Sequence, residues 1–235
     1  VELAAGEKIV DATGATVDYA DGTVKMKQLT VTYTYVDGLT FPDGNKLSKA
    51  DFELGYKYTC DKTNGATTFI TCDQIAGVTF DTDTAYTVVY KPGAQPATYF
   101  LPPFRWYEAN LKLASGGVLK DVPPADWGKT PEVSEMITDV GPYKVSEWKK
   151  GESITFVPNP NYFKGAPKTA KIVFKILTAE NAESQLLTGE VDILDSLTLT
   201  SITETMKKAG DEGKIKVLVL PQATWEHIDI NMFLR

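Results

Sequence analysis

The sequence predicts an α/β chain of the mixed α+β kind, and three observations carry that expectation. Apolar and aromatic residues recur at period two in one long run, two pairs of strand-like runs flank short polar turns, and helical spacing follows capping signals elsewhere. With 235 residues, 43% hydrophobic and 23% charged, the chain can build a core of real size and is not disordered by composition.

The opening segment, to Gly22, has few large apolar residues and reads as loops and short strands. From Val24 to Val36 a strand is expected, with Leu29, Val31, Tyr33 and Tyr35 on one face and Thr30, Thr32 and Thr34 on the other. Pro42-Asp43-Gly44-Asn45 supplies the backbone preferences of a tight reversal. Ser48-Lys49-Ala50-Asp51 is a capping-box variant, and Phe52 and Tyr56 at i, i+4 continue it as a short helix to Tyr58. Ile75–Phe80 and Ala85–Tyr90 form a hairpin about Asp81-Thr82-Asp83-Thr84. Pro92, Pro96, Pro102 and Pro103 then break regular structure, Phe104–Ala114 is expected to be helical, and the polar stretch from Ser115 to Pro131 reads as loop.

From Gly141 the pattern is regular again. Tyr143–Trp148 and Ser153–Pro158 make a second hairpin, and Lys171–Leu177 a strand. Ala179, Ala182, Leu186 and Leu187 mark a helix that Gly189 terminates. Val191–Leu194 is expected to be a short strand. Ser201-Ile202-Thr203-Glu204 is a capping box opening a helix to Gly210, and Lys214–Leu220 and Trp225–Asn231 close the chain as strands.

Composition excludes several function classes. The net charge is −7 and the basic residues are scattered, so the concentrated basic face that nucleic acid requires is missing. No apolar run approaches the roughly 20 residues that span a bilayer, and no secretory leader is read at the start; if the protein is exported, its targeting segment is expected to lie outside this sequence. A single histidine, His227, leaves no multi-histidine zinc site and little for a Ser-His-Asp triad. GxSxG, HExxH, P-loop and GxGxxG motifs are absent. No catalytic residue, metal or cofactor is assigned, and the protein is read as a non-enzyme. Cys60 and Cys72 bound the polar stretch TCDKTNGATTFITC and are read as a disulfide worth roughly 3 kcal/mol, which implies an oxidising compartment. Two unpaired thiols are the other possibility.

A series of segments then resembles one family. Gly141-Pro142-Tyr143-Lys144-Val145, Trp148, Gly151, Ile154 and Asn159-Pro160-Asn161-Tyr162-Phe163 are similar to its "GPY…W…G…I…NP.Y" stretch. Lys171–Ile176 follows, then Leu186-Leu187-Thr188-Gly189-Glu190-Val191-Asp192, which looks like its "L..GEVD" helix end. Upstream, Phe41 through Asp51 is similar to "F.DG..L.A.D". On these segments the chain resembles an extracellular solute-binding protein of family 5, the peptide- and nickel-binding subunits of ABC importers. The small-Gly pair usual before GPY is replaced by Asp139-Val140.

The resemblance implies most of the first lobe of a periplasmic-binding-protein type II-like fold, with a mixed sheet and a small β-rich subdomain. Residues 1–51 and 140–235 would be the main part of that lobe, 52–139 the inserted subdomain, and the second lobe would be absent beyond the hinge. It further implies capture of a small solute, first of all a peptide, for delivery to ABC permease membrane subunits. A monomer is expected, extracellular or periplasmic, with lipid anchoring an option for the longer protein.

Trp225 and His227 share one face of the strand that the resemblance sets beside the cleft, and are the first ligand-binding candidates. Arg105, Trp106 and Tyr107 come next, as an aromatic-basic cluster after Pro102-Pro103. The structural alternatives are a core Trp225 with a surface His227, and ordinary packing of a helix start at 105–107. A different class, a secreted β-rich carbohydrate-binding or adhesion module, draws on the aromatic content and the Thr-rich strands, and the helices expected in the second half speak against it.

Overall fold

The computed structural model describes residues 1–22, 24–135, 138–194 and 202–219. It divides into two compact units, Val1–Lys175 and Ile176–Arg235. No described helix is long and apolar enough to cross a membrane.

In the first unit, β1 (Glu2–Leu3) pairs with β4 (Val24–Lys25), and β2 (Lys8–Val10) with β3 (Thr16–Asp18). The central sheet has the order β5 (Thr30–Thr34), β7 (Ala85–Tyr90), β6 (Ile75–Thr82). A third sheet runs β10 (Ile172–Lys175), β9 (Ser153–Pro158), β8 (Tyr143–Lys149). Every ladder among the described residues is antiparallel. The helix α1 (Lys49–Cys60) lies ahead of two short helical turns, α2 (Ile70–Asp73) and α3 (Pro131–Ser134). The second unit holds α4 (Ala179–Leu187) and α5 (Glu204–Asp211). Helices of this length set aside the β-rich module.

The expected strand from Val24 to Val36 is two strands. β4 joins β1 while β5 joins β7, so the chain must leave one partner before meeting the other. The facial reading of β5 holds: Tyr33 is buried, Val31 and Tyr35 are half-buried, and Thr30, Thr32 and Thr34 face water. Thr32 and Thr87 stay hydrogen-bonded across the ladder on that outer face.

α1 carries two apolar faces. Phe52 and Tyr56 enter the larger core with Tyr86, Val88, Tyr90, Phe41 and Phe104, while Leu54 and Tyr58 meet Ala109, Leu113, Leu119 and Trp127 in a smaller one. Tyr86 stacks on Phe104 at 4.7 Å and Tyr58 on Trp127 at 4.0 Å. The helix start is fixed as its sequence suggests. Asp51 Oδ2 accepts from the Ser48 amide at 2.7 Å, and Asp83 of the β6–β7 turn accepts from the Lys49 amide.

Phe104–Ala114 is not a helix. Ala109, Leu111 and Leu113 turn inward while Asn110 and Lys112 face out, a period of two, and Lys112 bridges Val118. The amides of Tyr107 and Ala109 are held by the Asp51 carbonyl (3.2 Å) and carboxylate (2.7 Å), not by helical partners. After Gly189 (φ 77°) the amides of Glu190 and Val191 return to the Gln185 carbonyl, so Val191–Leu194 is not a strand. α5 opens at Thr203, whose hydroxyl accepts from Met206 N; Ser201 of the expected capping box lies outside the described residues. Lys214 and Ile215 close that helix onto Ala209, and 216–219 form no strand. Leu220 and Trp225–Asn231 lie outside the described residues.

The family-like turns are tied to one another. Asn159, 1% exposed, donates from Nδ2 to the Gly141 carbonyl and accepts from the Asn161 amide, and Asn161 Nδ2 donates to the Phe41 carbonyl. Gly-Pro-Tyr, Asn-Pro-Asn and Phe-Pro-Asp-Gly thus hold one another in place.

Gly55 tests how closely α1 and the following segment meet. A Cβ there would stand 1.8 Å from the Arg105 carbonyl oxygen. Alanine gains about 1 kcal/mol in helix propensity, which the clash outweighs because its partner is backbone. Gly55→Ala is therefore expected to destabilise by about 2–3 kcal/mol net in urea unfolding; a neutral or stabilised variant would contradict the packing.

Candidate functional site

Where α1 ends against the Pro102–Trp106 segment, the first unit has an open depression of about 500 Å³. Tyr35 just past β5, Thr59 in α1, the run Pro102-Pro103-Phe104-Arg105-Trp106, and Asp139 line it. The Pro-Pro pair offers no backbone donors and the chain bends at Pro103 and Phe104, while the Asp51 contacts that follow fix its register. The walls are aromatic and aliphatic. Trp106 meets Tyr35 edge to face at 4.7 Å and Phe52 at 5.9 Å, and burial pushes the Tyr35 phenol above its ordinary range.

The polar element at the mouth is an ion pair. Arg105 Nη2 donates to Asp139 Oδ2 at 2.6 Å, with both side chains substantially exposed. Asp139 Oδ1 accepts from the Val140 amide, so the carboxylate is anchored while the guanidinium keeps other donors for a ligand. An exposed pair of this kind adds little stability, about 0–1 kcal/mol. Its value lies in orientation.

A second hollow of about 330 Å³ adjoins the first and shares Thr59 and Pro103 with it. Phe69, Ile70 and Cys72 form its far wall. Cys60 and Cys72 are joined as a disulfide, which ties this wall to the end of α1. Just before Pro102 in the chain, Tyr99, Phe100 and Leu101 are exposed (49%, 66% and 54%) on a turn held by the Tyr33 hydroxyl at the Tyr99 carbonyl. Three consecutive large apolar residues facing water are unusual for a solvated loop.

Of the candidates read from sequence, Arg105 and Trp106 come together on the depression. Tyr107 is half-buried against the smaller core, edge-on to Tyr58 and Trp127, with the Arg105 guanidinium 6.0 Å from its ring centroid; burial first and the neighbouring Tyr58 second raise its phenol. Trp225 and His227 lie outside the described residues. Sequence reasoning missed Tyr35, counted only as a strand-face residue, and Asp139. The departure from the family pattern at Asp139-Val140 was the available signal, since Asp139 is the partner of Arg105. Among the described residues no group of three or more His, Cys, Asp or Glu is gathered to hold a metal.

The chain belongs to the family described as bacterial extracellular solute-binding proteins, family 5, middle region, whose model matches residues 17–232. Among curated proteins it is similar to the oligopeptide-binding protein OppA of Lactococcus lactis subsp. lactis, 22% identical over 207 residues, covering 81% of this chain and 34% of that protein. Among solved structures it is similar to the oligopeptide-binding protein AppA of Bacillus subtilis in complex with a nonapeptide (TM-score 0.60, 21% identity, 78% of this chain and 36% of that one). It is also similar to NikZ of Campylobacter jejuni in complex with Ni(L-His) (TM-score 0.57, 19% identity, 80% and 36%). The fold is accordingly mixed α/β of the periplasmic-binding-protein type II-like kind. The chain spans about a third of the length of the curated relatives it matches.

The disulfide makes a prediction. Replacing both cysteines (Cys60→Ser with Cys72→Ser) is expected to cost about 2–4 kcal/mol, read as a lowered melting temperature that reducing agent also produces in the parent. Insensitivity to both would mean that the loop is held by other contacts.

Proposed function

We propose that this chain forms the first-lobe part of the substrate-binding subunit of an ABC importer, which encloses a small solute between two lobes and presents it to membrane permease subunits. The observation that carries the reading is membership of the solute-binding family over nearly the whole chain. Residues 1–51 and 140–235 are proposed as the main part of the lobe and 52–139 as its added subdomain, with the larger core, from Val10 to Val140, drawing residues from both. A location outside the cytoplasmic membrane suits the disulfide.

The depression beside Arg105 and Trp106 is the proposed half-site. Its aromatic and proline walls suit apolar side chains, and Arg105 suits a carboxylate or a carbonyl. Peptides combine both, and the relatives named above include oligopeptide-binding proteins. Closure follows from differential contact: a solute touching both lobes stabilises the state in which both contacts exist. Trp225 and His227 stay on the list of proposed contacts.

The test uses the full-length protein, with thermal shift against dipeptides, longer peptides, oligosaccharides and nickel. Peptides are expected to raise the melting temperature. Arg105→Ala and Trp106→Ala are each expected to weaken peptide affinity about tenfold, while Arg105→Ala changes unliganded stability by less than about 1 kcal/mol. Binding confined to oligosaccharides, or unaltered peptide affinity in both variants, would overturn the reading of this site.

A further inference from the structure

A buried carboxyl group that the solute site does not use lies three residues beyond Arg105. Glu108 is 2% exposed. Its Oε1 accepts from Asn45 Nδ2 at 2.9 Å, and the same amide nitrogen donates to Asp43 Oδ2 at 2.7 Å. Glu108 Oε2 is buried and has no hydrogen-bond partner. One amide group therefore serves two carboxyl groups, and no described Lys or Arg forms an ion pair with either of them.

The groups around Glu108 do not supply the missing charge. From the turn at Pro42–Asn45 come Asp43, whose carboxyl favours protonated Glu108, and Asn45, which with the Thr138 side chain works the other way without offsetting burial. From α1 comes Asp51, also an acid, already engaged by Ser48 and by the Ala109 amide next to Glu108. Two adjacent carboxylates without a cation, one of them closed off from water, are strongly unfavourable when both are ionised. A single proton removes the difficulty.

We propose that Glu108 is a proton-operated latch: protonated, it holds the Pro42–Asn45 turn against the Arg105–Ala109 segment, and ionised, it lets that segment loosen. Burial, with the Asp43 carboxyl beside it, raises Glu108 from 4.5 to about 7, so the change falls in a physiological range. The folded state keeps a proton that the unfolded chain releases above 4.5. Stabilisation by the latch is thus complete below 4.5, declines as pH climbs towards 7, and is gone above it. Because Arg105 and Trp106 sit on the latched segment, alkaline conditions should also loosen one wall of the depression. That consequence rests on the solute-site reading; the latch does not.

The experiment compares the full-length protein with Glu108→Gln, an uncharged variant that keeps the acceptor for Asn45. Between pH 5 and 8.5 the parent melting temperature is expected to fall by about 5 °C more than that of the variant. Hydrogen exchange corrected for intrinsic rate should show 105–109 about tenfold less protected at pH 8.5 than at pH 5 in the parent, and unchanged in the variant. Carbon NMR of the Glu108 carboxyl gives its titration midpoint in the parent, and decides the matter even if the variant does not fold. A midpoint at the ordinary glutamate value, or equal pH slopes in both proteins, would overturn the latch and leave the solute site untouched. Failure to bind solute at any pH, with the midpoint near neutrality, would do the reverse.

Discussion

Asp51 is 2% exposed and accepts hydrogen bonds from Ser48 N, Ser48 Oγ and Ala109 N, while its own carbonyl accepts from Tyr107 N. Desolvation raises the carboxyl above its ordinary range, and the bonds from Ala109 and Ser48 partly offset that. The result is a constraint on everything nearby. An extended segment with its own backbone donors can run beside α1 only where those donors find acceptors, and Asp51 offers two. The position of Arg105 and Trp106 follows from that placement, as does the close approach of Gly55 to the Arg105 carbonyl.

Around this polar tie the packing is aromatic. Tyr35, Phe52, Tyr86, Phe104 and Trp106 form a connected set with ring centroids 4.7–6.3 Å apart, so the floor of the depression is continuous with the larger core. A site built this way is rigid on its inner side. Its outer side is different, with an ion pair at the mouth and a disulfide-closed loop beyond. The stiff wall suits shape recognition, and the exposed charges suit a partner that arrives from water.

The turns through which the chain resembles its family are structural. Asn159 and Asn161 satisfy the carbonyls of Gly141 and Phe41, and Gly44 takes a φ of 99° within the turn that Asn45 closes. Such turns fix the scaffold and say nothing about the solute. The residues on the depression include one that departs from the family pattern, Asp139.

The sequence by itself determined what depends on neighbours in the chain. Period-two alternation in β5, the Ser48–Asp51 cap, the stop at Gly189 and the two hairpins all arise from short-range sterics and hydrogen bonding, and all are present. The pairing of Cys60 with Cys72 was legible for the same reason, being local. Tertiary structure decided the rest. The segment 104–114 has residues able to form a helix, but acceptors supplied from α1 fix it as extended chain. Tyr107 stays beside Arg105, whose guanidinium lies 6.0 Å from its ring centroid, but its ring packs on the smaller core, which local sequence did not show. Asp139 and Glu108 gained their roles only through residues far away in sequence, Arg105 and the Asp43–Asn45 turn. An ion pair or a shared proton is a property of separation and solvent exclusion, and neither quantity is written in one stretch of chain.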